Sequence, residues 1–307
     1  MNLSYLFNRF CFRLKKYGLI STLCKLVNYF FNKNKIDLDE LKLDESLSLD
    51  DVCLTFGTDK GLLDGKKTYD YLKKTKPDFE YENYFDWVCR KDIHSFDYPL
   101  GSNYTPFYKK YFENIRKDNL KILEIGVANG HSTASFYHYF PNAQLYGVDI
   151  KKPNYLFYSS KRINYKTIDI LDKKKVQKYL NNNNEFDIII DDSLHTYEGY
   201  TLNLRNFLPG LKNGGIYVLE DFNSTDLTIE NITDFNKKHN RNPMVYGFNT
   251  TENVFDFIRS KKYFDCRILS KNDQEYLMKN ISKIESYRSE HPYGSIAFIH
   301  KEKFQSE

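Results

Sequence analysis

Two acidic clusters in this 307-residue chain each end an apolar run. The first is Phe186-Asp-Ile-Ile-Ile-Asp191-Asp192-Ser-Leu-His195, and the second is Gly214-Gly215-Ile-Tyr-Val-Leu-Glu220-Asp221. Both runs are β-branched, apolar and bounded by turn residues, which predicts short buried strands. In an open parallel sheet the residues just past the strand C-termini line the ligand crevice. Carboxylates that converge there repel one another unless a cation joins them. Asp192, Glu220 and Asp221 are the candidate oxygen ligands of a hard divalent ion, Mg²⁺, with positions left for substrate hydroxyls and water. Such an ion acidifies and orients a chelated hydroxyl as a Lewis acid. His195, three residues past Asp192, is the candidate catalytic proton acceptor because its ordinary pKa lies near neutrality. Asp191 is read as a supporting residue. The plain alternatives are that Glu220-Asp221 caps the next segment and that His195 is a satisfied structural histidine.

A second set of residues suits a nucleoside. Leu120 to Ser132 reads as a strand, a turn carrying Gly126 and Gly130, and the start of a helix. Glycines there let the backbone turn tightly and approach a ligand. The spacing E-x-G-x-x-x-G is neither a dinucleotide G-x-G-x-x-G nor a phosphate loop ending in G-K-[ST]. The next strand ends at Asp149, where a carboxylate can bond both hydroxyls of a ribose. Asp169, after the third strand, is placed to contact an adenine edge. Together they indicate an adenosine-type ligand; the alternative is an α/β fold with glycines at ordinary turns.

These residues need a scaffold. Apolar runs at 120–125, 144–150, 163–168, 186–191 and 214–220 alternate with helix-length intervals, the pattern of βαβ units and a mostly parallel sheet. Cys266–Leu269 and Ser295–His300 are candidate closing strands. A helix is expected from Tyr104-Thr-Pro106, with Phe107, Tyr108, Tyr111, Phe112 and Ile115 on one face. Residues 1–36 hold seven Lys/Arg and no acid, so the net charge of +4 belongs to that arm and the rest of the chain is net negative. The arm reads as basic amphipathic helices, either lying on an anionic membrane surface or packing on protein. Nucleic-acid binding is not expected, since the basic excess is confined to the arm. Residues 37–105 read as an acidic linker or exposed helix over 37–51, the loop Phe56–Gly61 and a lid-like insertion over 62–102; residues 106–307 form the catalytic body. Five scattered cysteines without a C-x-x-C pair point to a reducing compartment, hence a cytoplasmic location with peripheral membrane contact left open.

The motifs Phe56-Gly-Thr-Asp-Lys-Gly61, Tyr104-Thr-Pro-Phe-Tyr108, Ile122-Leu-Glu-Ile-Gly126, Gly147-Val-Asp-Ile150, Ile190-Asp-Asp-Ser-Leu-His195 and Leu208 through Asp221 occur in order. In this the chain resembles the metal-dependent sugar O-methyltransferases of class I, a family of the macrocin and mycinamicin type related to the cephalosporin hydroxylases. The resemblance implies a Rossmann-like fold with a seven-stranded, mostly parallel sheet, an N-terminal helical extension, and methyl transfer to a sugar hydroxyl. It implies S-adenosylmethionine held by Thr58, Lys60, Tyr104, Glu124, Gly126, Gly130, Ser132, Asp149 and Asp169. It likewise implies Mg²⁺ held by Asp192, Glu220 and Asp221, His195 as base, a carbohydrate acceptor and a homo-oligomer. Two departures stand out: the family's Asp-Asp-Gly-Ser-His is Asp191-Asp-Ser-Leu-His195 here, and a histidine usual two residues before the Tyr of Tyr-Thr-Pro is Ser102. The alternatives are a hydroxylase-like enzyme with iron at the metal position, which an all-carboxylate ligand set disfavours, and a non-catalytic membrane-associated partner.

Overall fold

Residues 35–61, 101–152, 156–222, 251–264, 268–289 and 294–303 are described by a computed structural model. The basic arm and the 62–102 insertion lie outside the described residues, apart from positions 35–36 and 101–102. In chain order the elements are β1 (Ile36–Asp37), α1 (Leu49–Phe56), α2 (Thr105–Phe112), β2 (Lys121–Ile125), α3 (His131–Tyr139), β3 (Gln144–Asp149), β4 (Tyr158–Ser159), β5 (Ile163–Thr167), α4 (Lys173–Asn182), β6 (Phe186–Asp191), α5 (Tyr197–Phe207), β7 (Leu211–Glu220), α6 (Thr251–Ser260), α7 (Lys271–Asn280), β8 (Ile281–Arg288) and β9 (Ser295–Lys301). None of the helices among the described residues is long and apolar enough to cross a membrane.

The five regular apolar runs become β2, β3, β5, β6 and β7, all parallel, in a seven-stranded sheet of order β5-β3-β2-β6-β7-β9-β8. β9 runs antiparallel between β7 and β8. The chain steps outward from β2 to β3 and β5, then returns to the other side of β2 for β6. The switch point, and the crevice that goes with it, therefore lies between β2 and β6.

One expected strand is corrected. Of the Cys266–Leu269 run, residues 266–267 lie outside the described residues, and Ile268 and Leu269 lie in a bend before α7 instead of in the sheet. The edge position is taken by β8, whose sequence ISKIESYR carries only two aliphatic residues. An antiparallel edge strand buries one face, and Ile281 and Ile284 suffice for it.

Period-two alternation sends the side chains of each strand to two cores. Leu123, Ile125, Ile189, Tyr217 and Leu219 face α4, α5, α6 and α7, whereas Ile122, Ile188, Ile190, Val218 and Phe298 face α1, α2 and α3. The second core is aromatic: Tyr111 stacks on Phe298 with ring centroids 3.8 Å apart, and Phe112 packs against Phe140 and Phe298. The segment expected as an acidic linker or exposed helix joins this core, since Leu49, Val52, Cys53 and Phe56 of α1 are buried. α1 begins with a capping box in which the Ser48 hydroxyl accepts from the Asp51 amide at 3.2 Å, an arrangement worth ~1 kcal/mol. Gly57, with φ 71°, ends it by donating its N–H to the Cys53 carbonyl. The chain is thereby turned into Thr58–Gly61. Backbone bonds from Ser102 to Asp59, from Asn103 to Gly61 and from Tyr104 to Lys60 fasten that loop to the start of α2.

Candidate active site and metal centre

Strand register decides which way each acid points. Glu124 lies opposite Ile190, and Ile190 opposite Val218. Glu124 and Glu220 therefore face the α1–α2–α3 core, and Asp191 faces α5. Asp191 is fully buried and accepts from the hydroxyls of Tyr217 at 2.7 Å and Ser193 at 2.6 Å and from the Asn203 amide at 3.1 Å. Burial lifts its pKa to about 6. These bonds brace the loop that carries Asp192 to His195. Asp191→Ala takes the shared acceptor from the Tyr217 and Ser193 hydroxyls and leaves the Asn203 amide only its bond to Ser193 Oγ, and is expected to lower unfolding free energy by roughly 3 kcal/mol in urea denaturation.

Just beyond β6 the chain delivers Asp192 to the crevice. His195 Nε2 lies 3.0 Å from Asp192 Oδ1, and His195 Nδ1 lies 3.9 Å from Asp221 Oδ2. One donor atom from each of Asp192, His195 and Asp221 falls within 4.8 Å of the others, all half-buried. His195 and Asp221 adopt φ values of 48° and 53°, a left-handed conformation that costs a non-glycine residue about 1–3 kcal/mol. Tyr200 supports both: its ring stacks on His195 at 6.2 Å and its hydroxyl donates to the Asp221 carbonyl at 3.1 Å. Thr196 caps α5 immediately after the histidine, accepting from the Gly199 amide at 3.0 Å. Burial and the charge of Asp192 raise Asp221 to about 6. Burial pulls His195 down, but its bond to Asp192 and the charges of Asp221 and Glu220 prevail and lift it to about 9.

On the interior side of the cluster lies Lys60, whose side chain is 2% exposed. Its ammonium donates to Asp192 Oδ2 at 2.7 Å and to Glu220 Oε2. Burial opposes this charge, yet Asp192, Glu220 and Glu124 around it hold the lysine well above its usual range. Burial also works against ionised Asp192, but Lys60 and His195 keep its carboxyl below the usual carboxylate range. Tyr108 donates to the other oxygen of Glu220, and Tyr104 donates to Asp221 Oδ1. The Tyr104 hydroxyl in turn accepts from the Ser295 amide at 2.8 Å.

The structure thus brings Asp192, His195 and Asp221 together at the crevice. Glu220, 1% exposed, is adjacent but turned inward to Lys60 and Tyr108. Two carboxylates and an imidazole at this spacing fit a hard or borderline divalent cation.

The glycine turn after β2 adjoins this cluster. Gly126, with φ 91°, donates to the Val148 carbonyl, while the Asp192 amide donates to the neighbouring Ile125 carbonyl. A Cβ at position 126 would lie 2.2 Å from the Asp192 carbonyl oxygen, so only glycine fits between the two loops. Gly130 (φ 90°) opens α3. Asp149 ends β3 with its carboxylate accepting from the Ala128 and Lys151 amides, both at 2.8 Å. Asp169 accepts from the Leu171 amide at 3.1 Å.

The remaining residues of the expected nucleoside set are engaged within the protein. Glu124 accepts from the hydroxyls of Ser132 and Thr133, and Thr58 is buried in the loop after α1. Lys60 and Tyr104 point to the acidic cluster. Sequence reading missed Tyr108 and Tyr200 as site residues. Tyr108 was legible only as one apolar position of α2, although it follows Tyr104 by one helical turn, which aligns the two hydroxyls.

A seven-stranded sheet of this order, with a glycine turn after its first central strand and an acid ending the next, defines a Rossmann-like methyltransferase architecture. Residues 123–222 match the family described as a methyltransferase domain. Among curated relatives, mycinamicin VI 2''-O-methyltransferase of Micromonospora griseorubida is 30% identical over 125 residues, 38% of this chain and 31% of that protein. Demethylmacrocin O-methyltransferase of Streptomyces fradiae is 29% identical over 125 residues, with the same two shares of 38% and 31%. The matched region spans about a third of the length of these relatives. Among solved structures, the MycE methyltransferase from the mycinamycin biosynthetic pathway, in complex with Mg, SAH and mycinamycin VI, superposes with a TM-score of 0.52. The identity is 19%, over 84% of this chain and 55% of that one.

Proposed function

We propose that this protein transfers a methyl group from S-adenosylmethionine to a hydroxyl of a sugar, with Mg²⁺ at the acidic cluster. The observation that carries the reading is the contact of Gly126 with Asp192, which seats a nucleoside-type turn directly against a cation-type cluster. The names of the two curated relatives, both O-methyltransferases, and the ligands of the MycE complex support it.

In this reading Asp149 bonds the ribose hydroxyls and the Gly126–Gly130 turn passes close beneath the nucleoside. Asp192 and Asp221 hold the cation with His195 beside them, and Glu220 is a further oxygen ligand within the same pocket. Bound there, Mg²⁺ supplies Lewis acidity to an acceptor hydroxyl. His195 takes the hydroxyl proton on its ring nitrogen. The carboxylates that keep the imidazole protonated lose that hold once their charge is neutralised, so the free base is available when the cluster is filled. Tyr200 and Thr196 fix the ring, which keeps the proton acceptor aimed at the crevice. The cluster offers carboxylates and a single imidazole, not the two imidazoles and one carboxylate of non-haem iron oxygenases, which favours a hard cation and group transfer over hydroxylation.

The deciding experiment incubates the protein with labelled S-adenosylmethionine, Mg²⁺ and a panel of free, nucleotide-linked and lipid-linked sugars. Label transfer that chelator abolishes supports the reading; binding of S-adenosylmethionine with transfer unaffected by chelator rejects the metal role. His195→Gln is expected to lower kcat by about 10²–10⁴-fold while leaving the dissociation constant of S-adenosylmethionine unchanged by calorimetry.

A further inference from the structure

Lys60 stands apart from the other lysines of the described residues because its ammonium is buried against two acids of the candidate metal centre. The two oxygens of Asp192 are divided. Oδ1 faces His195 and the crevice, and Oδ2 faces Lys60 and the interior. Glu220 is gripped from both sides, by Lys60 on one oxygen and by Tyr108 on the other. The loop that presents the lysine is built for this placement. It is turned by Gly57 and fastened by three backbone bonds to residues 102–104.

We infer that Lys60 is a built-in counter-cation: its single charge, shared between Asp192 and Glu220, offsets their repulsion in the ion-free protein and competes with a divalent ion for the same two carboxylates. This rests on the reading of the acidic cluster as a cation site. Its physical basis is the cost of uncompensated buried charge. Asp192, Glu220 and Asp221 would otherwise crowd three carboxylates around one point, and removing one partner of a buried ion pair is strongly destabilising. The lysine therefore holds the pocket folded before the ion arrives. The same ammonium weakens the ion's binding, because it withholds one oxygen of each acid and adds a like charge behind the site. Glu220 can turn an oxygen to the ion only when Lys60 releases it. Lys60 is thus a positioning residue acting through Asp192 and Glu220, without touching substrate.

The test compares the full-length chain with Lys60→Met and Lys60→Gln, the latter keeping a hydrogen-bond donor without the charge. Thermal melting without added ion and calorimetric titration with Mg²⁺ and Mn²⁺ are the readouts. Both variants are expected to melt below wild type without ion, to bind Mg²⁺ about tenfold more tightly, and to show a larger rise in Tm on adding it. A variant that is recovered folded only in Mg²⁺ supports the proposal equally. Wild type that binds Mg²⁺ alongside folded variants with unchanged or weaker affinity overturns the counter-cation role and leaves the metal reading standing. Wild type that binds neither ion overturns both. Variants that fail to fold even in Mg²⁺ make Lys60 a purely structural residue and overturn the proposal.

Discussion

Asp192→Ala is expected to reduce methyl transfer by at least ~10³-fold, equivalent to about 4 kcal/mol of transition-state stabilisation. Its side chain joins the cation cluster to the buried interior. One oxygen faces His195 at 3.0 Å and belongs to the cation cluster; the other receives the Lys60 ammonium at 2.7 Å. Losing it removes a ligand, frees the proposed base from its orienting partner and leaves Lys60 with Glu220 alone. The Mg²⁺-dependent rise in Tm should vanish with the activity, while binding of S-adenosylmethionine persists, since Asp149 and the Gly126 turn are unchanged. Asp192→Asn separates charge from volume: it keeps the shape and should lose ion binding almost as completely. Retained Mg²⁺ binding in both variants, measured by calorimetry, would move the metal centre away from this residue.

The second large effect is expected from a single methyl group. Gly126→Ala places a Cβ 2.2 Å from the Asp192 carbonyl oxygen and 2.8 Å from the Ser193 Cα, at a φ of 91°. The left-handed conformation alone costs an alanine ~1–2 kcal/mol. The clash is with backbone, so the loops after β2 and β6 must separate, adding about 1–3 kcal/mol. Unfolding free energy should fall by roughly 3–5 kcal/mol, and binding of S-adenosylmethionine and of Mg²⁺ should weaken together because one displacement disturbs both loops. Gly57→Ala is the control. Its φ is 71° but nothing lies within 4 Å of the added Cβ, so only the dihedral cost of ~1–2 kcal/mol remains. Equal losses for the two variants in chemical denaturation would show that the contact between the loops contributes nothing.

Much of this architecture is legible in the sequence because it is written locally. A parallel strand buried on both faces must be continuously apolar, and so β2, β3, β5, β6 and β7 announce themselves, with the acids that follow them marking the crevice. The glycine turn at 126–130 and the acid at 149 are equally local. β8 was not legible, since an antiparallel edge strand needs only two aliphatic side chains, and the more apolar Cys266–Leu269 run drew attention in its place. The burial of α1 was hidden by its acidic surroundings: a linker or exposed helix was expected there, but Leu49, Val52, Cys53 and Phe56 make it part of the core.

What the sequence by itself determined, then, is the sheet, the crevice and the set of acids at its edge. Only the tertiary structure decided how those acids divide. Asp191 and Asp192 are neighbours in the chain, but a one-residue step in a strand reverses the face, so one braces α5 and the other meets the crevice. Glu220 and Asp221 divide in the same way, one held inside by Lys60 and Tyr108 and the other facing His195. The partners that settle this, Lys60 and Tyr108, lie 160 and 112 residues from Glu220. No local pattern records a contact of that span. It arises when the loop after α1 and the helix α2 fold back over the sheet, where a buried lysine is stable only among carboxylates.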